Sequence, residues 1–193
     1  MPGGLLLTSL RPLSSRIAVS IVNLYLPSPN FDVRPEGESV RLIVVHAISL
    51  PPDQFGGPGV AQLFTNALDP DEHPYYASIH HLRVSAHYFI RRDGMVIRFV
   101  DPDLRAWHAG VSSWNGQERC NDFSIGIELE GCDTLPFEDV QYRRLAELVV
   151  ELEQRYPIEA VVGHADIAPG RKTDPGPCFD WDRLDRCVSA RKG

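Results

Sequence analysis

What this chain of 193 residues lacks removes several classes of protein. No apolar run approaches the roughly eighteen residues that a membrane-spanning helix needs. Basic residues are the minority, 19 Lys and Arg against 26 Asp and Glu, for a net charge of −7. A protein whose main partner is nucleic acid or an anionic membrane needs the opposite balance. The cysteines, Cys120, Cys132, Cys178 and Cys187, contain no CxxC pair and outline no disulfide framework, as expected of a reduced, cytosolic chain. Internal repeats, low-complexity tracts and linkers are missing as well. What remains is globular: 43% hydrophobic and 23% charged residues, in a length suited to one domain with a self-sufficient core.

The start of the chain reads differently from the rest. Ile17 to Leu26 follows Arg11 and Arg16 and resembles a signal-peptide core. Ser20 and Asn23 interrupt it, however, and Pro27-Ser28-Pro29 stands where a small-residue cleavage site belongs.

Leu42 to Val45 is a β-branched run expected to be a strand buried on both faces. Residues 50–59 are loop, and Val60 to Leu68 a short helix. Ala86–Ile90 and Met95–Val100 flank a turn at Asp93-Gly94 and predict a hairpin. Phe123 to Leu129 alternates, with Phe123, Ile125, Ile127 and Leu129 on one face and Ser124, Gly126 and Glu128 on the other. Val140, Leu145, Leu148, Val149 and Leu152 recur at helical spacing over about 138–155, before Pro157. Ala160 to Val162 is a brief strand, and 165–180 is loop. Interleaved strands and helices predict a single α/β domain with a central mixed β-sheet flanked by helices.

Chemistry gathers at strand ends. VVHA ends in His46 and VVGH in His164, and Asp174 follows in RKTDPGP. Two imidazoles and a carboxylate suit zinc, with a fourth position left for water. Each also has a plainer explanation: a strand-end histidine is more often a satisfied polar residue, Asp-Pro is a common turn pair, and seven histidines offer many triples. Glu128 shares its strand face with small residues. Either that face is wet and the carboxylate solvated, or the space admits a substrate beneath a general base. Lys172 is either an exposed loop lysine or a cation beside an oxyanion. On the residues alone the plainer readings are the simpler ones.

Longer stretches carry more. VVHAISLPPDQFGG, DPDEHPYYASIHHLRVSAHYFIRRDG, RAWHAGVSSWNGQERCNDFSIGIELEG and GHADIAPGRKTDPGP resemble the bacterial N-acetyl-anhydromuramoyl-L-alanine amidases. These are cytoplasmic zinc enzymes of cell-wall recycling, in a superfamily shared with peptidoglycan recognition proteins and phage amidases. The resemblance runs from about Pro27 to Leu184, which implies a domain over residues 27–193 and sets residues 1–26, without a counterpart, apart as a segment of unassigned role. It implies one zinc ion per chain on His46, His164 and Asp174, with Glu128 as proton acceptor and Lys172 as transition-state stabiliser. It also implies that Arg83 and Arg119 hold the acidic stem peptide, and that Trp107 and His108 wall the cleft. Sister branches carry a tyrosine directly before the histidine of the AHYFI-like strand; Ala86 stands there in this chain, which leaves the base role to Glu128. Ala47 replaces the asparagine that ordinarily follows the first zinc histidine, a change that bears on substrate affinity more than on metal. The implied partner is a small muropeptide, cut between the lactyl group of N-acetyl-anhydromuramic acid and L-alanine in the cytoplasm. Independently, the lack of a surplus apolar helix points to a monomer, and the charge balance to no nucleic-acid or membrane partner.

Overall fold

The computed structural model describes residues 21–193, so most of the segment set apart at the amino terminus, and the first part of its signal-like run, lie outside the described residues. The chain runs through β1 (Leu24–Tyr25), β2 (Phe31–Val33), β3 (Leu42–Ile48), α1 (Gly59–Phe64) and α2 (Pro74–Ile79). Strands β4 (Tyr88–Ile90), β5 (Val96–Arg98), β6 (Leu104–Ala106), β7 (Ser113–Trp114), β8 (Gln117–Glu118) and β9 (Ser124–Glu130) follow. The last elements are α3 (Asp139–Arg155), β10 (Ala160–Gly163), α4 (His164–Ile167) and α5 (Trp181–Lys192).

Six strands form the main sheet in the order β1-β5-β4-β9-β3-β10. All neighbours are parallel except β4 and β5, the hairpin pair, so the sheet is mixed as expected. Gly94 turns that hairpin at φ +85°, a left-handed conformation that favours glycine. Strand β1 joins the sheet ahead of Pro27, the expected start of the domain, because Asn23 and Leu26 donate to the carbonyls of Val96 and Arg98.

Both faces of the central strands are covered. Ile43, Val45, Ile125, Ile127 and Leu129 pack against Tyr142, Leu145, Leu148, Val149 and Leu152 of α3. The apolar spacing that predicts α3 is thus the face it buries. At its start Gln141 Oε1 accepts from Glu138 N at 2.9 Å, while Gln141 Nε2 donates to the carbonyls of Ile90 and Glu130 at 3.2 and 3.0 Å, which ties the helix to the sheet. On the opposite face Leu42 and Val44 meet Ala109, Cys120 and Ile167, and Val60, Leu63 and Phe64 of α1 pack near β4 and β5. Phe123 belongs to this second face, not with Ile125: it caps a 3-10 turn at Cys120–Asp122, and the alternation begins only at Ser124. Helices α2 and α5 are additions to the sequence reading. Cys120, Cys132, Cys178 and Cys187 are free thiols, and no helix among the described residues is long and apolar enough to cross a membrane.

Candidate metal centre and active site

The parallel register of β3 and β9 sets His46 opposite Glu128. On the other side of β3, Val45 pairs with Gly163, so the next residue, His164, arrives level with His46 as β10 gives way to α4. Asp174 is brought in by its loop. Its carbonyl accepts from Ala165 N at 2.9 Å, and Gly163 lets Pro175 approach to 2.9 Å from where a Cβ would sit.

The three side chains converge. His46 Nδ1 and His164 Nδ1 are 3.0 Å apart, and Asp174 Oδ2 lies 3.2 and 3.1 Å from them. Ligands at about 2.0–2.1 Å from a tetrahedral zinc ion stand roughly 3.3–3.4 Å from one another, close to this triangle. His164 Nε2 is turned outward, 3.1 Å from the Ala109 carbonyl and 3.4 Å from Arg171 Nη2, which leaves Nδ1 facing the cluster. Burial, outweighing the nearby Asp174 carboxylate, lowers the His46 pKa to about 4 and keeps the ring neutral. A neutral His46 ring, a second imidazole and a carboxylate, converging at ligand spacing, are donors a divalent cation takes, so the residues fit zinc.

These three line a cavity of about 350 Å³ together with Glu128, Lys172, Trp107, His108 and Ala47. Glu128 is buried, and its Oε2 has no hydrogen-bond partner. Burial first, then the charge of Asp174, push its pKa well above the usual carboxylate value, partly offset by Lys172. A buried carboxylate with a free oxygen, in the cavity that His46, His164 and Asp174 line, can take up a proton. Lys172 is exposed at the same cavity. Trp107 Nε1 donates to Asp32 Oδ2 at 2.7 Å, and His108 Nδ1 is 2.9 Å from His46 Nε2.

The family pattern described as N-acetylmuramoyl-L-alanine amidase matches residues 36–177. The chain belongs to that family. Among curated relatives, the 1,6-anhydro-N-acetylmuramyl-L-alanine amidase AmpD of Citrobacter freundii is 59% identical over 166 residues, covering 85% of this chain and 89% of that one. The crystal structure of a selenomethionine AmpD derivative superposes on this amidase with a TM-score of 0.85 at 57% identity, covering 88% of this chain and 96% of that one. Escherichia coli AmiD, in complex with anhydro-N-acetylmuramic acid-L-Ala-D-gamma-Glu-L-Lys, gives a TM-score of 0.56 at 31% identity over 80% of this chain and 60% of its own.

Some expectations need revision against the amidase's geometry. The face of Ser124, Gly126 and Glu128 is not wet, since every residue of β9 is buried. Nor does Gly126 make room for substrate: a Cβ there would fall 2.4 Å from the His108 ring, which fills the space. Arg83 and Arg119 are not brought to the cluster. Arg83 is exposed and donates to the His80 and Leu82 carbonyls at 3.2 and 3.3 Å. Arg119 pairs with Asp122 at 3.1 Å and lines a separate cavity of about 540 Å³. Two supports escaped the sequence reading. Asn121 Oδ1 accepts from the backbone N–H groups of His108 and Ala109 at 3.2 and 2.8 Å, and Arg171 Nη2 donates to the carbonyls of Ala109 and Val111 at 2.7 and 2.6 Å. Asn121 follows a left-handed Arg119 in an irregular turn, which no spacing rule would flag.

Proposed function

We propose that this amidase uses one zinc ion to hydrolyse the amide between the lactyl group of N-acetyl-anhydromuramic acid and the L-alanine of the stem peptide, in cytoplasmic recycling of muropeptides. The observation that carries this reading is the meeting of His46 Nδ1, His164 Nδ1 and Asp174 Oδ2 within 3.2 Å of one another, in a cavity shared with the unpartnered oxygen of Glu128. The AmpD relative named for the anhydro substrate and the substrate complex of AmiD support the choice of bond and sugar.

His46, His164 and Asp174 would hold the metal. A bound zinc ion supplies Lewis acidity toward the carbonyl and makes water a better nucleophile at neutral pH. Glu128 does the proton work: its carboxylate accepts a proton from the attacking water, and the resulting acid delivers it to the departing alanine nitrogen. The Lys172 ammonium offsets negative charge on the former carbonyl oxygen as the tetrahedral centre forms. Trp107 and His108 bound the cleft beside the reacting groups. The protein is net negative and so is the stem peptide, so local cations must attract it; Arg83 and Arg119 take that part once their side chains turn toward bound peptide. The active unit is a monomer whose domain includes β1.

Incubation of the purified protein with an anhydro-muropeptide, followed by mass analysis, tests the reading. An anhydro-sugar and a free stem peptide are expected, lost with chelator and restored by zinc. Intact substrate in the presence of zinc would overturn it.

A further inference from the structure

Hydrogen bonds run outward from the two histidines, and the path from His46 ends on a group that can only accept. His164 Nε2 reaches the Ala109 carbonyl directly. From His46 the path is longer: Nε2 is 2.9 Å from His108 Nδ1, His108 Nε2 is 3.2 Å from Ser124 Oγ, and Ser124 Oγ donates to the Cys120 carbonyl at 2.5 Å. A serine hydroxyl has one hydrogen to give. Because it goes to Cys120, Ser124 meets His108 with lone pairs only, and His108 must carry its proton on Nε2. His108 Nδ1 is then bare and accepts from His46 Nε2. That leaves His46 Nδ1 without a proton, facing His164 and Asp174. The carbonyl at the far end sets the direction of every bond.

We propose that His108 and Ser124 are positioning residues that hold His46 in the Nε2–H tautomer and so keep Nδ1 open to a metal ion. The alternative they suppress is visible in the cluster. Asp174 Oδ2, 3.2 Å from His46 Nδ1, is an acceptor that draws a proton onto Nδ1, and a proton there blocks coordination. Metal-binding histidines are commonly oriented through the ring nitrogen that does not bind the metal. Here the orienting group is a second, non-ligating imidazole. Gly126 provides the space for it, and Asn121 pins its backbone. The consequence for metal rests on the zinc reading above, whereas the direction of the bonds belongs to the protein itself.

The experiment separates the two. In metal-free protein labelled with ¹⁵N at histidine, His108 is expected to carry its proton on Nε2; a proton on Nδ1 would reverse the path and overturn the proposal. In chelator competition, Ser124→Ala is expected to raise the zinc dissociation constant about 10- to 100-fold, with Ser124→Thr, which keeps the hydroxyl, restoring it. Unchanged affinity in Ser124→Ala would also overturn the proposal. Should Ser124→Ala fail to fold, His108 variants carry the comparison. His108→Gln keeps an acceptor for His46 and a donor for Ser124 and is expected to bind zinc nearly as wild type does, whereas His108→Leu is expected to weaken binding; equal affinities for the two would sink the idea. If the wild type bound no zinc, the zinc reading would fall, and the His108 spectrum would still decide the direction of the bonds.

Discussion

Under the proposed mechanism, Glu128 carries the proton transfers in one side chain. It is 8% exposed, no group satisfies its Oε2, and burial makes its charged form costly. Left alone such a carboxylate destabilises the fold, so its environment makes sense when it trades a proton during turnover. Glu128→Gln keeps shape and polarity but cannot accept a proton. Its kcat is expected to fall about 10²–10⁴-fold with KM little changed and one zinc ion retained, as steady-state kinetics and metal analysis would read. Loss of zinc would make Glu128 a support of the metal, and near-normal turnover would return it to a buried bystander. Asp174 belongs to the other half of the division of labour. Asp174→Ala leaves two imidazoles, too few for tight zinc at neutral pH. Metal and activity are expected to disappear together, and stoichiometric zinc in that variant would remove Asp174 from the ligand set.

At the scale of elements, β9 does two jobs with one alternation. Its Ile125, Ile127 and Leu129 bury against α3, and its Ser124, Gly126 and Glu128 serve the site. Gly126 has ordinary backbone angles, so its importance lies in the missing side chain: an added Cβ would come within 2.4–2.7 Å of three atoms of the His108 ring. Gly126→Ala is expected to cost about 1–3 kcal/mol of stability through overpacking, measurable by urea unfolding. Unchanged stability would show that the ring can shift freely. This strand was legible in the sequence because period-two alternation needs no partner to be seen, and His46 and His164 stood out as the ends of apolar runs. Which strands are neighbours was not legible, since the register that sets Glu128 beside His46 is a contact across 82 positions of chain. Helix α5 escaped notice because Leu184 is its one fully buried residue, leaving a thin apolar stripe. Helix α2 begins on His73, whose Nδ1 accepts from Tyr75 N at 3.1 Å, an unusual cap. The motif match that names Arg83 and Arg119 fixes their positions in the chain, but not the direction of their long side chains.

Across the whole molecule, the interior holds several histidines neutral, and this sets how stability must follow pH. His87 is the clearest, lying outside the His46–His164–Asp174 cluster and making no hydrogen bond to it. Its Nδ1 accepts from Gly126 N at 2.9 Å and its Nε2 donates to the Leu104 carbonyl at 3.0 Å, so the neutral ring is fully used. Behind it lies Arg34, whose guanidinium donates to the carbonyls of Pro102, Asn121, Asp122 and Ser124 and reaches 3.3 Å from His87 Nε2. Burial first, and then the Arg34 charge, lower the His87 pKa from 6.5 to about 3. Above pH 6.5 the ring is neutral whether the chain is folded or not, and its contribution to stability is complete. Below that, the unfolded chain takes up a proton that the folded one refuses, so unfolding becomes easier as pH falls, until about pH 3, where the folded ring also charges. His87→Gln retains an acceptor and a donor but does not titrate. With chelator present in both samples, the wild type is expected to lose roughly 2–3 kcal/mol more unfolding free energy than the variant between about pH 6.5 and 4.5. Urea titrations at the two pH values measure the difference. Parallel losses would mean that His87 gains its proton inside the fold without cost, and the neutral packing against Arg34 would not be what holds it.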